Sequence, residues 1–434
     1  MKNKKAVWIA GGFILYAFVM TWYLFMGADT SVPAQYQGSS ADPSVFMTER
    51  EIELSHDFSR IKHLLYFLSV PLEWMIYLLV LGFGLSKWFR NRATDVSRFP
   101  IVHNALYVVF LSLTAFILAL PIDYYSYTVS LDYQISTQTF SSWMRDNVIS
   151  FWINTLFLFV IVQVLYWLMK RSEKRWWFYG WLLSIPFTLF MYYIQPIWID
   201  PLYNDFYRLE DKVLEDKILA LADKAKISAD RVYEVNMSEK TNALNAYVNG
   251  IGSNLRIVLW DTTLEELEDE EVLFVMAHEM GHFVKNHLLW NLIGSIVFSF
   301  FGLWLGSRVF YWMLNKWGRH WGVEKPSDIA SLPALLLVFS ILSFIASPIE
   351  NTISRQAEHS ADEYAIEMTK DPEAAVGAFQ KLSVSGLSEV NPPWLVKVFL
   401  YGHPTMLERI HFLEKWNQKE SVDQSLNENE KIEQ

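Results

Sequence analysis

The chain has 434 residues, of which 52% are hydrophobic and 16% aromatic. Its mean hydropathy of +0.15 is too high for an ordinary soluble protein of this length, so composition predicts a membrane protein with a soluble part. The formal net charge of −11, without any patch of basic residues interleaved with aromatic ones, excludes nucleic acid as a partner.

Seven apolar runs are long enough to cross a bilayer, for which a helix needs about 20 residues. The first run follows three lysines, but it is long and lacks a convincing cleavage site, so it predicts a retained anchor rather than a signal peptide. The last run is the weakest, because prolines and serines interrupt it. The runs cover residues 6–26, 64–85, 101–122, 148–169, 176–194, 288–311 and 332–349.

These runs divide the chain into membrane segments and soluble segments. Residues 1–199 are predicted to form a membrane region with about five transmembrane helices, and residues 288–349 add two more. Residues 200–287 and 350–416 are mixed and charged in composition, so we expect both to lie outside the bilayer. Residues 417–434 have almost no apolar side chains, which predicts a disordered acidic tail.

The run EVLFVMAHEMGHFVKNH (271–287) carries two histidines, His278 and His282, that a helix places on one face, within reach of a single metal ion. Glu279 lies between them, near enough to hold and deprotonate a metal-bound water. The bare pattern also occurs by chance, but in this apolar helix such polar residues would be costly to bury without a partner. Because the chain has no cysteine, any zinc site must use histidine and carboxylate ligands, which indicates catalytic zinc.

A catalytic zinc needs three protein ligands, so we expect the two soluble segments to combine into one domain. In the segment ENTISRQAEHSADEYAIEM (350–368), Glu358 and Asp362 share a helix face. Glu358 could be the third ligand, and Asp362 could fix the tautomer of a ligating histidine. Arg355, one turn earlier, could hold the acidic pair. The local pattern alone favours a plainer interpretation, a solvated helix face with charges four residues apart.

Five motifs stand in a fixed order along the chain: IDPLYNDFYRLED (199–211), KTNALNAYVNGIGSNLRIVLWDTTL (240–264), HEMGH (278–282), SRQAEHSADEYA (354–365) and GHPTMLERI (402–410). In this order they resemble those of the type I CAAX prenyl endopeptidases, which are multi-spanning membrane zinc proteases of the gluzincin class. The fold that this resemblance implies is mainly α, with about seven transmembrane helices and a zincin-type metalloprotease domain that carries a small β element.

The resemblance also assigns roles to the residues of the predicted metal site. It implies His278, His282 and Glu358 as ligands of one Zn²⁺, with Glu279 as the general base. Asp362 is then the carboxylate that accepts a hydrogen bond from the nitrogen of a ligating histidine that does not bind the metal.

The resemblance gives meaning to a predicted strand at residues 245–250, which ends at a glycine turn. An edge strand near the metal could pair with an extended substrate backbone. Asn245 resembles the family residue that holds the substrate main chain. We therefore predict Asn245, Ala246 and Tyr247 as substrate-binding residues.

His403 and Arg409 belong to a second motif, which predicts a helix with Pro404 in its first turn. The resemblance implies that both side chains project into the active site. His403 could donate to the oxyanion of the reaction, and Arg409 could bind a substrate carbonyl or a carboxylate. Without the resemblance, a helix cap and a surface pair would be the preferred interpretation.

Basic residues are concentrated in the connections that fall at one end of a seven-helix arrangement. The positive-inside rule makes that end cytoplasmic and places the catalytic segments on the non-cytoplasmic side. Since the eukaryotic relatives are expected to face the cytosol, either this chain is inverted or the span count is wrong by one. The residues are Lys2, Lys4, Lys5, Lys87, Arg90, Arg92, Arg98, Lys170, Arg171, Lys174, Arg175, Lys316, Arg319 and Lys325.

The sequence therefore predicts an integral, multi-pass membrane zinc metalloendopeptidase, in the cell membrane if the source is prokaryotic. Its expected partners are the lipid bilayer and a membrane-associated polypeptide substrate, with CAAX-type processing of prenylated C-termini as one option. A quality-control protease without prenyl specificity is the alternative. An inactive membrane scaffold is a third option, but a structural metal site has no use for the unliganded base Glu279.

Overall fold

The computed structural model of the protein describes residues 2–250 and 255–417. Within these ranges seven helices are long and apolar enough to cross a membrane, as the sequence predicts. All but the first residue of the predicted disordered tail, 417–434, lie outside the described residues. The candidate spans are Val7–Gly27, Glu49–Gly82, Pro100–Asp132, Phe140–Arg171, Trp176–Leu202, His287–Trp321 and Ile329–Thr369.

Helices dominate the described chain, which confirms the predicted mainly α fold. They are α1 (Lys2–Trp22), α2 (Pro43–Phe46), α3 (Glu49–Gly82), α4 (Leu85–Val96), α5 (Pro100–Asp132), α6 (Phe140–Arg171), α7 (Trp176–Ile194), α8 (Lys212–Lys224), α9 (Asp261–Glu266), α10 (Asp269–Val284), α11 (His287–Trp321), α12 (Leu332–Thr369), α13 (Pro372–Ser385), α14 (Trp394–Phe399) and α15 (residues 406–417).

Helix α12 is one continuous helix of 38 residues, which contains both the last membrane span and the segment that carries Glu358. Its prolines are accommodated in two ways. Pro333 lies in the first turn, where no backbone N–H partner is required. Pro348 lies inside the helix and deprives the Phe344 carbonyl of its usual donor, but the Ser347 hydroxyl donates to that oxygen at 2.9 Å. The predicted boundary between residues 349 and 350 therefore falls within a continuous helix.

The HEMGH helix α10 is separate from the span that follows it. It begins with a capping box, in which Glu268 and Glu271 bind each other's backbone N–H groups. It ends before Asn286, whose φ of +58° lies in the left-handed region. Because this residue breaks the helix, the membrane span α11 begins anew at His287.

Four strands form the predicted small β element in the order β1-β2-β4-β3. The strands are β1 (Phe206–Arg208), β2 (Val232–Val235), β3 (Ala246–Asn249) and β4 (Arg256–Trp260). Strand β3 pairs with β4 in antiparallel orientation and forms an edge of the sheet, and Gly250 follows it with a φ of +103°. The predicted edge strand with a glycine turn is thus confirmed.

The two ends of the helix bundle differ in character. At one end, the connections between the membrane helices pack against the soluble segments. Ser136 forms a β-bridge with Thr241, and the backbone carbonyl of Ser40 accepts a hydrogen bond from the Gln380 side chain at 2.8 Å. At the other end, Arg90 of α4 pairs with Asp328, and the basic connections cluster there. With seven spans in the described chain, both catalytic segments lie at the end opposite the basic connections.

Candidate metal centre and active site

Three side chains from two helices converge on one point, in the part of the chain that the structure describes. His278, His282 and Glu358 each offer a ligand atom, and these atoms lie within 4.8 Å of one another. His278 Nε2 is 3.1 Å from Glu358 Oε2 and 3.2 Å from His282 Nε2, and His282 Nε2 is 3.4 Å from Glu358 Oε1. Zinc bonds of about 2.0–2.1 Å at tetrahedral angles hold ligand atoms roughly 3.3 Å apart. The cluster therefore fits a Zn²⁺ ion.

Gly281, inside the HEMGH motif, lets the two helices approach closely. A Cβ atom at this position would lie 3.3 Å from the Cα of Ala361 and 3.1 Å from Cδ1 of Tyr364. Ala361 is one turn beyond Glu358 on α12, so the close crossing brings Glu358 beside the two histidines. A larger residue at 281 would push α12 away from the cluster.

Asp362 lies behind His278, which is the contact that the sequence predicts. His278 Nδ1 is 2.8 Å from Asp362 Oδ1. Arg409 donates to the same carboxylate twice, from Nη2 to Oδ1 at 2.6 Å and from Nε to Oδ2 at 2.9 Å. This bidentate pair holds the carboxylate in one orientation, and the carboxylate in turn directs His278 Nε2 towards the cluster.

Arg409 is 7% exposed, and its guanidinium carbon lies 3.9 Å from the centre of the Phe379 ring. Of the two partners predicted for Arg409, a substrate carbonyl or a carboxylate, the structure shows a carboxylate, and it is that of Asp362. Two of its three nitrogens are occupied in this way, so contact with a substrate carbonyl would fall mainly to Nη1.

Burial and neighbouring charges shift the pKa values of two groups on α10. Burial lowers the pKa of His278, but the hydrogen bond and charge of Asp362 outweigh burial and raise it to about 9. For Glu279, burial raises the pKa of the carboxyl, against the charges of His278 and His282, which lower it. A carboxylate with a raised pKa is a stronger base, which suits Glu279 to take a proton from water.

The prediction that Arg355 holds Glu358 and Asp362 is wrong. Its Nη1 instead donates to the carbonyls of Lys397 at 3.1 Å and Tyr401 at 2.7 Å, around the end of α14. Helix C-termini present unpaired carbonyls, and these attract a guanidinium. Arg355 therefore anchors the loop that leads to His403, while Arg409 binds Asp362.

His403 lies beside the cluster, with Nδ1 2.8 Å from Glu358 Oε2 and a side chain 62% exposed. The helix after it starts later than predicted, at residue 406. Thr405 caps it, because Thr405 and Glu408 exchange hydrogen bonds at 3.0 and 3.2 Å. Pro404 therefore precedes the helix instead of lying in its first turn, and this short loop holds His403 over the cluster.

A groove of about 490 Å³ is lined by Glu279 together with Asn245, Ala246 and His403. Its remaining walls are mostly apolar. The side chain of Tyr247 does not line this groove; Asp200 and Arg256 lie near enough for their charges to act on its pKa, which burial raises to about 12. The role of Tyr247 as a substrate-binding residue therefore stays a prediction. The apolar lining includes Leu267, Phe274, Val275, Phe379, Leu382 and Met406.

Three polar residues near the cluster were not singled out from the sequence. The Thr263 hydroxyl accepts from the N–H of Asn245 at 2.8 Å and donates to its carbonyl at 2.7 Å, which fixes the start of β3. His287 and Ser360 lie behind His282, with His287 Nδ1 3.0 Å from His282 Nδ1. The histidine was visible in the sequence, but a spacing of five residues points to different faces of a continuous helix.

Comparison with known proteins identifies both halves of the chain. The family model described as CAAX prenyl protease N-terminal, five membrane helices, matches residues 12–205, and that of peptidase family M48 matches residues 208–417. The chain is 48% identical over 411 residues to the uncharacterized metalloprotease YhfN of Bacillus subtilis, covering 94% of this chain and 96% of that protein.

More distant similarity extends to eukaryotic proteins. The chain is 26% identical to a CAAX prenyl protease 1 homolog of Dictyostelium discoideum, over 85% of this chain and 88% of that protein. It is 27% identical to CAAX prenyl protease 1 of Saccharomyces cerevisiae, over 74% of each. The crystal structure of S. mikatae Ste24p shares the fold, with a TM-score of 0.78 at 22% identity over 95% of this chain and 98% of that one. The chain belongs to peptidase family M48 and is a multi-pass membrane metalloprotease.

Proposed function

We propose that the chain is a zinc endopeptidase in which His278, His282 and Glu358 hold one Zn²⁺ and Glu279 is the general base. The observation that carries this proposal is the convergence of three ligand side chains. The Nε2 atoms of His278 and His282 lie 3.2 Å apart, and each lies 3.1 to 3.4 Å from one oxygen of the Glu358 carboxylate, close to the edge length of a zinc coordination tetrahedron. Two histidines and one carboxylate leave a fourth position open for water or substrate, as a catalytic zinc requires.

The roles of the side chains in hydrolysis follow from their positions. When bound, Zn²⁺ supplies Lewis acidity, which polarises a carbonyl group and acidifies a water molecule. Glu279 accepts the proton of the attacking water and passes it to the nitrogen of the leaving amine. His403 is held through Nδ1 by Glu358, which leaves Nε2 for the groove. An Nε2–H of His403 would donate to the oxygen that becomes negative as water adds.

The substrate is an extended polypeptide that adds to the free edge of β3. The pairing groups that we assign are the backbone of Ala246 and the side-chain amide of Asn245, because the backbone N–H and carbonyl of Asn245 already bind Thr263 and Trp260. The rest of the groove is lined mostly by apolar side chains, which suits an apolar substrate residue near the scissile bond.

The substrates that we infer are membrane-associated polypeptides, among them proteins with a prenylated CAAX terminus. Relatives named as CAAX prenyl proteases support this inference, since they align over most of the chain. The test compares hydrolysis of a farnesylated CAAX peptide with that of the same peptide without the lipid. A higher kcat/KM for the farnesylated peptide is expected. Equal values would remove the lipid from the proposal and leave a protease with broad specificity.

We propose further that the active site faces the non-cytoplasmic side. The catalytic segments lie at the end of the bundle opposite the basic connections, and the short connections at the catalytic end, 28–48 and 133–139, contain no lysine or arginine. Because the chain has no native cysteine, single cysteines can be placed cleanly. In intact cells, an impermeant thiol reagent should modify Glu373→Cys in α13 and spare Lys174→Cys before α7. The reverse pattern would invert the orientation.

The catalytic proposal is tested with Glu279→Gln, assayed in the purified full-length protein. This variant should bind zinc as the parent does but lose about 10²–10⁴-fold in kcat, because it keeps the ligands and lacks the base. Glu363→Gln is the matched control, since Glu363 is exposed on α12 next to Asp362, and its activity should equal that of the parent. Hydrolysis by Glu279→Gln at the parental rate would contradict the proposed role.

A further inference from the structure

The break between α10 and α11 turns His287 back towards the metal cluster. In a continuous helix, residues 282 and 287 would point about 140° apart, so their rings would not meet. Asn286 has a φ of +58° and a ψ of +33° between the two helices, a conformation that asparagine tolerates better than most residues. As a result, the rings of His282 and His287 lie 5.0 Å apart, edge to face.

A chain of hydrogen bonds runs from His282 into the backbone of α12. His282 Nδ1 lies 3.0 Å from His287 Nδ1, and His287 Nε2 lies 3.0 Å from the hydroxyl of Ser360. Ser360 donates to the carbonyl of Ala357 at 3.0 Å. His282 turns its other nitrogen, Nε2, towards Glu358 and His278.

One assignment of protons satisfies every member of this chain. The Ser360 hydrogen is committed to the Ala357 carbonyl, so the Ser360 oxygen accepts from Nε2–H of His287. Nδ1 of His287 is then unprotonated and accepts from Nδ1–H of His282. His282 consequently carries its hydrogen on Nδ1, and the lone pair of Nε2 is directed at the cluster.

We propose that His287, backed by Ser360, is a positioning residue that holds His282 in the tautomer and orientation required to bind the metal. It does for His282 what Asp362 does for His278, but with a neutral partner. His287 approaches the side of the His282 ring that faces away from Glu358, so it acts as a support and not as a fourth ligand. This inference rests on the proposed function, because it assumes that His282 Nε2 is a ligand.

Zinc affinity of the purified full-length chain, measured by competition with a fluorescent chelator, tests the proposal. His287→Phe keeps a ring but removes the acceptor, and its zinc dissociation constant should rise about 10–100-fold, as expected for loss of a partner behind a ligand. His287→Asn places an acceptor near the position of Nδ1 and should recover most of this loss. Ser360→Ala should show a smaller loss in the same direction.

Two comparisons separate this inference from general damage. His320→Phe makes the same substitution at an exposed position near the far end of α11 and should leave zinc affinity unchanged. The thermal unfolding midpoint of the metal-free His287→Phe protein should match that of the parent. Parental zinc affinity in His287→Phe, or no recovery in His287→Asn, would overturn the positioning role.

The proposed function fails in a different way. If His282→Ala binds zinc as tightly as the parent, then His282 is not a ligand and the assignment of the metal site is wrong. If His282→Ala loses zinc while His287→Phe retains parental affinity, the metal site stands and only the role of His287 is refuted.

Discussion

Two buried arginine–aspartate pairs lie at opposite ends of the molecule. Arg90 pairs with Asp328 at the basic end of the membrane helices, and Arg409 pairs with Asp362 at the catalytic end. The side chains are 18% and 7% exposed in the first pair, and 7% and 1% exposed in the second. Burying such charges is costly, so each pair depends on further hydrogen bonds to its carboxylate.

Those further partners distinguish the two pairs. Asp328 also accepts from the backbone N–H groups of Ala330 at 3.1 Å and Glu324 at 3.3 Å, so it closes the turn before α12. Asp362 instead meets Nδ1 of His278 at 2.8 Å. The same ion pair thus stabilises a local turn at one end and directs a predicted metal ligand at the other. We infer that an arginine–aspartate pair contributes to catalysis through the additional group that its carboxylate contacts, and not through the burial of its charges.

The largest effect should come from Asp362→Ala. The substitution leaves the buried guanidinium of Arg409 without a counter-charge, which costs about 3–5 kcal/mol in the free energy of unfolding. It also frees His278 Nδ1, so the zinc dissociation constant, compared at pH 9 where a proton on His278 competes little, should rise about 10–100-fold. Denaturant unfolding and chelator competition on the purified protein measure the two effects.

Asp328→Ala is the matched variant at the basic end. It should also destabilise the fold, by less because Arg90 retains more contact with water, and it should leave zinc affinity at the parental value. Loss of zinc affinity in Asp328→Ala equal to that in Asp362→Ala would show that loosening of the whole bundle, and not the contact with His278, causes the effect.

Two glycines extend the comparison to helix packing. Gly281→Ala in α10 places a Cβ atom against the backbone of Ala361, which overpacks the crossing at a cost of about 1–3 kcal/mol and moves Glu358 from the histidines. Gly294→Ala in α11 meets nothing within 4 Å and should be neutral or slightly stabilising. Zinc content and unfolding are the measurements. Full zinc occupancy in Gly281→Ala would mean that α12 need not approach so closely.

The elements that the sequence predicted well are those set by local pattern. The seven spans follow from apolar length, and His278 and His282 share a face because α10 has the expected period. Glu358 joins them as the family resemblance implied, whereas the pattern of its own segment favoured a solvated helix face. The edge strand β3 was equally visible, since the predicted strand ends at Gly250, where the backbone takes a positive φ.

What the sequence did not predict depends on partners far along the chain or on a single backbone angle. Arg355 binds backbone carbonyls that lie 42 and 46 residues further along the chain, around the end of α14. The spacing of residues near Arg355 cannot predict this contact. His287 reaches His282 only because Asn286 takes a left-handed conformation. The interruptions in the last span are harmless because Ser347 replaces the donor that Pro348 lacks. Each of these details requires the three-dimensional arrangement.

The charge of Asp362 also predicts a pH dependence of zinc binding at the catalytic end. In the metal-free chain, His278 with a pKa of about 9 holds a proton on Nε2 at neutral pH, and zinc must displace it. Below pH 9 the apparent affinity should therefore fall about tenfold for each unit of pH, about 1.4 kcal/mol. Competition titrations between pH 6.5 and 8.5 measure this slope.

Asp362→Asn provides the comparison for that slope. Without the carboxylate charge, the pKa of His278 falls towards or below its ordinary value near 6.5, so zinc binding should vary little between pH 7.5 and 8.5. An equally steep slope in parent and variant would assign the proton to another group.

The smallest effect that we predict concerns the two arginines near the metal cluster. Arg355→Gln weakens the hydrogen bonds to the carbonyls of Lys397 and Tyr401, so the loop before His403 should loosen and kcat/KM should fall about threefold to tenfold, on the order of 1 kcal/mol. Zinc affinity should stay parental, because the guanidinium touches the loop and not the acidic pair. A loss of zinc affinity as large as that of Asp362→Ala would restore the interpretation drawn from sequence spacing, in which Arg355 holds Glu358 and Asp362. Parental zinc affinity with a reduced kcat/KM would show that Arg355 positions the loop of His403. Arg409 would then be the arginine that holds the carboxylate of Asp362 beside the metal ligand His278.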